Sequence, residues 1–232
     1  MAGLDGQVNK ILKQMHNNQS TAKGSFGEQA VVAICEEFYQ SMGGILIHSY
    51  SYKVDPMAAG NIKKNDSGKL YIENLGSSTE IDVLYVSPYR VFPIEVKAYK
   101  AKDIVFTNDA IAGCYTTNKS PEHQNEMHCR HLYSFIYRGL PNGGTTQQIN
   151  SKFGVVATSY IVPIVCMVDK ATITDNRDDF HRDYIKLCVL NTLKDTIEKY
   201  NTPLDYKLNL SLIDKLLKEY KVSSEKYLPP RM

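Results

Sequence analysis

Apolar residues along this chain recur at two spacings, every three or four positions in some segments and in continuous or alternating runs in others. From Glu28 the run EQAVVAICEEFYQSM sets Val31, Ile34, Cys35, Phe38 and Met42 at helical intervals, and Gly43-Gly44 follows as a stop. ILIHSYSYKV, rich in β-branched and aromatic residues, predicts a strand. Residues 55–69 are polar and glycine-containing and predict a loop, after which LYIEN, TEIDVLYV and RVFPIEVKAY resume the strand pattern. A second helix is marked by Ser120 as N-cap, Pro121 at the first helical position, an apolar stripe of Leu132, Phe135 and Ile136, and Gly139 as the stop. GLPNGGTTQQINSK reads as a loop, and FGVVATSY, IVPIVCMVD and YIKLCVL read as buried strands. Helices are expected over 191–200 and 208–220, the second built on Leu212, Leu216, Leu217 and Tyr220, with a frayed tail SSEKYLPPRM. Strands flanked and interrupted by helices predict one α/β domain with a mixed sheet.

Charge breaks into the most strand-like of these segments. TEIDVLYVSPYRVFPIEVKAY carries Asp82, Glu95 and Lys97 where a buried strand should hold none. An unpaired buried charge costs several kcal/mol or neutralises itself through a pKa shift. If the two strands pair antiparallel about Pro88-Tyr89, Ser87 faces Arg90, Asp82 faces Glu95 and Glu80 faces Lys97. All four charges then share one side, with Ile81, Val83, Tyr85, Ile94 and Val96 on the other. Directly facing Cβ atoms lie about 4.5–5.5 Å apart, so two carboxylates there repel unless a cation lies between them. Oxygen ligands favour Mg²⁺ or Mn²⁺ over Zn²⁺. A lysine alongside can position water or neutralise charge developing on a phosphate. A surface hairpin with cross-strand salt bridges, Glu80–Lys97 among them, accounts for the same spacing, and Pro93 could introduce a bulge that shifts the register.

Composition narrows the setting. The 232 residues suffice for one sizeable core without requiring two domains. No stretch reaches the roughly 18 apolar residues of a membrane span, and the first twenty residues are too polar for a signal peptide. A cytoplasmic protein without a membrane partner is the default expectation. The five cysteines are scattered and form no C-x-x-C pair, which argues against a disulfide framework or a cysteine-rich zinc site; Cys35, Cys166 and Cys188 read as small buried hydrophobes. Net charge is only +2, so a nucleic-acid partner needs a local basic patch. Arg90, Lys100, Lys102 and Arg130, with Tyr89 and Tyr99 nearby in sequence, are the candidate contacts to a phosphate backbone. His128 and His131 could share a metal, but a solvated polar helix face is the simpler account of them.

Three ordered blocks, GSFGEQAV, TEIDVLYVSPYRVFPIEVKAYK and SPEHQNEMHCRHL, resemble the nuclease-related domain (NERD) family of the PD-(D/E)xK nuclease superfamily, over a span from Gly24 to Leu193. The resemblance implies a restriction-endonuclease-like core with a central mixed β-sheet flanked by helices. It implies Asp82 and Glu95 as ligands of Mg²⁺ or Mn²⁺, Lys97 as catalytic lysine, Glu28 as an acid assisting at the metal or its water, and Gln124 as a polar group near the scissile phosphate. Glu80 is an accessory candidate. Taken alone, Glu28 would be explained by helix-dipole stabilisation. Val83, Pro93 and Ala101 depart from the family pattern without removing a charged core residue. The implied activity is a Mg²⁺-dependent deoxyribonuclease, DNA in preference to RNA; the alternative is an inactive nucleic-acid-binding or assembly protein on the same fold. The expected organisation is a polar leader over 1–23, a nuclease domain over 24–200, and a C-terminal helix and tail over 201–232 packed on the same domain, with homo-oligomerisation left open.

Overall fold

The structure, a computed structural model, describes residues 20–53, 62–64, 70–72, 78–99, 103–108, 111–112, 121–141, 146–148, 156–158, 160–168, 172–203 and 206–231. In chain order its elements are α1 (Ser20–Met42), β1 (Gly44–Lys53), β2 (Ile62–Lys64), β3 (Leu70–Ile72), β4 (Ser78–Val86), β5 (Val91–Lys97), β6 (Asp103–Phe106), β7 (Ile111–Ala112), α2 (Pro121–Ile136), β8 (Thr146–Gln148), β9 (Val156–Thr158), β10 (Ile164–Met167), β11 (Thr172–Asp175), α3 (Asp179–Tyr184), β12 (Lys186–Val189), α4 (Leu193–Tyr200), α5 (Leu210–Tyr220), β13 (Lys221–Ser223) and β14 (Lys226–Arg231). Seven strands form a central mixed sheet in the order β12-β10-β5-β4-β1, with β13 and β14 both along the outer side of β1. Strands β12, β10 and β5 run parallel; β5, β4 and β1 are antiparallel neighbours.

Each sheet face is buried under helices. Ala30, Val31, Ile34, Cys35 and Phe38 of α1, with Leu193 and Ile197 of α4, pack against Leu46, Val83, Tyr85, Phe92, Ile94 and Cys166. On the other face Leu132, Phe135 and Ile136 of α2 and Ile213, Leu216 and Leu217 of α5 cover Ile45, Ile47, Tyr50, Leu84 and Val86. The helical stripes read from the sequence are therefore the packing surfaces, except that Met42 is exposed. The α1–β1 junction needs its glycines. Gly43 and Gly44 adopt positive φ (81° and 111°), and a Cβ on Gly44 would stand 2.1 Å from the Val86 carbonyl oxygen.

The structure revises several expectations. Over Val83–Val86 and Val91–Glu95 the hairpin is buried on both faces instead of carrying one polar face, because α2 and α5 cover the second, while Glu80 is exposed and Asp82 and Lys97 are half-buried. Strand β2 lies within the segment read as a loop, although residues 54–61 and 65–69 fall outside the described residues. Strand β8 lies within GLPNGGTTQQINSK, another segment read as a loop, and pairs with β9 in a separate two-stranded sheet. The tail read as frayed is strand β14, paired with β1 along Leu46–Leu228, Ile47–Tyr227 and His48–Lys226; Tyr39 also donates to the Pro229 carbonyl at 2.9 Å. Short elements β6, β11 and α3 had no sequence signal. The buried Arg177 holds them to α2 by pairing with Glu122, with Asp175 at 2.8 Å and with the Ile185 carbonyl at 3.0 Å. Among the described residues no helix is long and apolar enough to cross a membrane.

Candidate active site where β4 and β5 part

The hairpin register is the expected one: Val86 pairs with Val91, Tyr85 with Phe92, Leu84 with Pro93 and Val83 with Ile94. The ladder then stops, so Asp82–Glu95 and Glu80–Lys97 do not form as ladder pairs. In place of a backbone carbonyl, the Asp82 carboxylate accepts the Val96 N–H at 2.7 Å. A matched irregularity in β1 and β4 accounts for the parting. Pairing between these strands keeps one register from Ile45–Val86 to His48–Val83 and from Tyr50–Ile81 to Lys53–Ser78, omitting only Ser49 and Asp82. Ser49 has φ of 52°, the left-handed region. Across this point the faces exchange: Val83 packs on the α1 side, whereas Ile81, expected on the same face, packs on the α2 side with Tyr50 and Tyr52. Asp82 thus leaves the regular alternation of its strand and reaches sideways toward β5.

Glu95 is 1 % exposed and lies under α2. Its Oε1 accepts from the Lys97 ammonium, and Lys97 also donates to Gln124 Oε1 at 3.3 Å. The Glu80–Lys97 bridge of the surface-hairpin reading is replaced by these two partners. Glu95 Oε2 is buried without a hydrogen-bond partner among the described residues, and His128 Nε2 stands 3.6 Å away. His128 and the Tyr52 hydroxyl meet at 3.2 Å through Nδ1. A Tyr52 hydroxyl donating to Nδ1 leaves the Nε2 proton facing Glu95. His128 and His131 are both buried, so the solvated-face account of them is corrected.

Glu28 reaches the same region from α1. This helix begins at Ser20 and has no acid in its first turn, so the helix-dipole account of Glu28 does not apply. Gly27 permits the close approach: a Cβ there would come within 2.6 Å of Val168 Cγ2, just beyond β10. Glu28 Oε2 lies 3.3 Å from His48 Nε2. Burial first, then the charges of Glu95 and Glu28, push the Asp82 carboxyl up to about 7, although Val96 N–H and Lys97 oppose the rise. Burial also raises Glu80, on which Glu28, Glu225 and Glu95 act in the same direction.

Asp82, Glu95, Lys97, Gln124 and Glu28 are therefore brought together, with Glu80 at the margin. Arg90 is not. It occupies the β4–β5 turn at the other end of the hairpin, 8 % exposed, with its guanidinium donating to the Tyr89 carbonyl. Lys100 and Lys102 lie outside the described residues, and Arg130 is half-buried on α2. Asn125 escaped the sequence reading: buried next to Gln124, its amide donates to the carbonyls of Ile164 (2.8 Å) and Pro93 (3.3 Å), fixing α2 across β5 and β10.

No group of three or more His, Cys, Asp or Glu side chains placed to hold a metal ion occurs among the described residues. Two carboxylates nevertheless suit Mg²⁺, which usually keeps waters and takes one or two carboxylates plus substrate phosphate oxygens. The orphaned Glu95 Oε2 and the repulsion that Glu95 and Glu28 exert on Asp82, only partly offset by the Val96 N–H and Lys97, both fit a hard cation. Residues 23–168 match the family model described as nuclease-related domain. Neither a curated protein nor a solved structure matches the chain.

Proposed function

The chain belongs to the nuclease-related domain family, and from that premise we propose that it is a metal-dependent phosphodiesterase hydrolysing nucleic acid, DNA in preference to RNA. The observation that carries this reading is the meeting of Asp82, Glu95 and Lys97 where β4 and β5 part. Asp82 and Glu95 would hold Mg²⁺ or Mn²⁺, which supplies Lewis acidity toward a phosphoryl oxygen and lowers the pKa of water.

The chain's own residues then have distinct work. Lys97, 25 % exposed, sets a positive charge where negative charge grows on the phosphoryl oxygens. Gln124 steadies that ammonium through its amide oxygen. Glu28 offers a carboxylate able to orient a water and accept its proton. Lys100 and Lys102, which follow β5 in sequence, and Arg130 on α2 would neutralise flanking phosphates. Incubation with circular and linear, single- and double-stranded DNA and RNA tests this reading. DNA should shorten in Mg²⁺ or Mn²⁺ and stay intact in EDTA. Retention of nucleic acid with unchanged length on every substrate would instead support a binding module.

A further inference from the structure

His48 lies in β1 immediately before the Ser49 irregularity, buried, with a carboxylate at each ring nitrogen. Nε2 is 3.3 Å from Glu28 Oε2 and Nδ1 is 3.2 Å from Glu225 Oε2. The backbone repeats the second connection, since the Glu225 N–H donates to the His48 carbonyl at 3.0 Å. Glu225 belongs to the turn between β13 and β14, more than fifty residues beyond the matched segment 23–168. We propose that His48 is a positioning residue that clamps Glu28 in the hydrolytic site and ties it to the C-terminal strands through Glu225. This rests on the functional reading above.

The physical need is plain from the neighbours. Glu80 and Asp82 of β4 also act on this region, so Glu28 stands among several carboxylates that repel it. Only an imidazole with both nitrogens protonated donates to Glu28 while carrying the positive charge that pairs with Glu225. The Glu28 contact, the largest influence on His48, favours that form. With His48 held from its far side by Glu225, its Nε2 gives Glu28 one orientation; released, Glu28 is free to swing away from the negative charge. The C-terminal strand pair thereby becomes part of the support of a site built by elements far upstream.

The test is a double-mutant cycle. His48→Gln, which removes the charge that pairs with Glu225 and keeps at most a hydrogen bond to Glu28, should lower kcat about 10–100-fold, the scale for partners that orient functional ligands, with KM nearly unchanged. Glu225→Gln should lower kcat in the same sense but less. In a Glu28→Gln background, His48→Gln should have no further effect on residual turnover. Equal losses in both backgrounds would overturn the proposal, as would unchanged kcat in His48→Gln. Imidazole ¹⁵N shifts at neutral pH decide the clamp independently of turnover. Two protonated ring nitrogens, each perturbed by the Gln substitution of its own carboxylate, support it; a neutral ring indifferent to both substitutions refutes it. Inactivity of the wild type on every substrate overturns the hydrolytic reading, whereas the imidazole shifts still separate clamp from no clamp.

Discussion

Replacing Lys97 by alanine is expected to lower cleavage on the order of 10³-fold and to destabilise the fold by about 3 kcal/mol. The two effects have separate origins. Loss of turnover follows from removing the cation beside Asp82 and Glu95. Loss of stability follows because Glu95, almost wholly buried, surrenders its ammonium partner and retains only the more distant His128. A second substitution separates them. Lys97→Ala with Glu95→Gln removes the stranded charge and should regain much of the melting temperature while remaining inactive. If Lys97→Ala turned over like the wild type, the catalytic role assigned to this lysine would be wrong.

Asp82 gives the second large effect, read as stability against pH. In the folded chain its carboxyl is pushed up from the usual value of 3.8 to about 7, first by desolvation and then by the charge of Glu95. Between about pH 4 and 7 the folded chain retains a proton that the unfolded chain has released, so this group makes stability fall as pH rises through that window. Each unit of displacement corresponds to at most about 1.4 kcal/mol. Without divalent ions the wild type should therefore lose stability from pH 5 to pH 8 relative to Asp82→Asn, which has no such proton. Millimolar Mg²⁺ should restore the wild type at pH 8, do little at pH 5, and leave Asp82→Asn unmoved, since an ion that binds only the folded, ionised site stabilises by mass action. Parallel stability curves for the two proteins, insensitive to Mg²⁺, would show that the charged hairpin holds no ion.

The main elements were legible because their signals are local. The helical spacing of Ile34, Cys35 and Phe38, the proline at the start of α2 and the continuous apolar runs of β10 and β12 each report a neighbour's burial. Hairpin register followed from the turn at Pro88-Tyr89 alone. What escaped were features set by distant contacts. Nothing in HSYSYK announces that Ser49 turns left-handed or that Asp82 shifts with it, so the convergence of charges was anticipated while the means, a parted ladder capped by Asp82, was not. The segment SSEKYLPPRM was expected to fray, yet β1 offered an open edge that β14 fills. His128 seemed a solvated helix residue because its partners, Tyr52 and Glu95, lie 76 and 33 positions away in sequence. Glu28 and Gln124, carried by the resemblance alone, reach the same region through contacts to His48 and Lys97 that had no signal in sequence.

Binding of Mn²⁺, followed by loss of the free-ion paramagnetic resonance signal, probes the ion site without reference to any substrate. The wild type should bind Mn²⁺ and yield it to excess Mg²⁺, while Asp82→Asn and Glu95→Gln, each still folded, should not bind it. Equal Mn²⁺ binding by all three proteins would contradict the account.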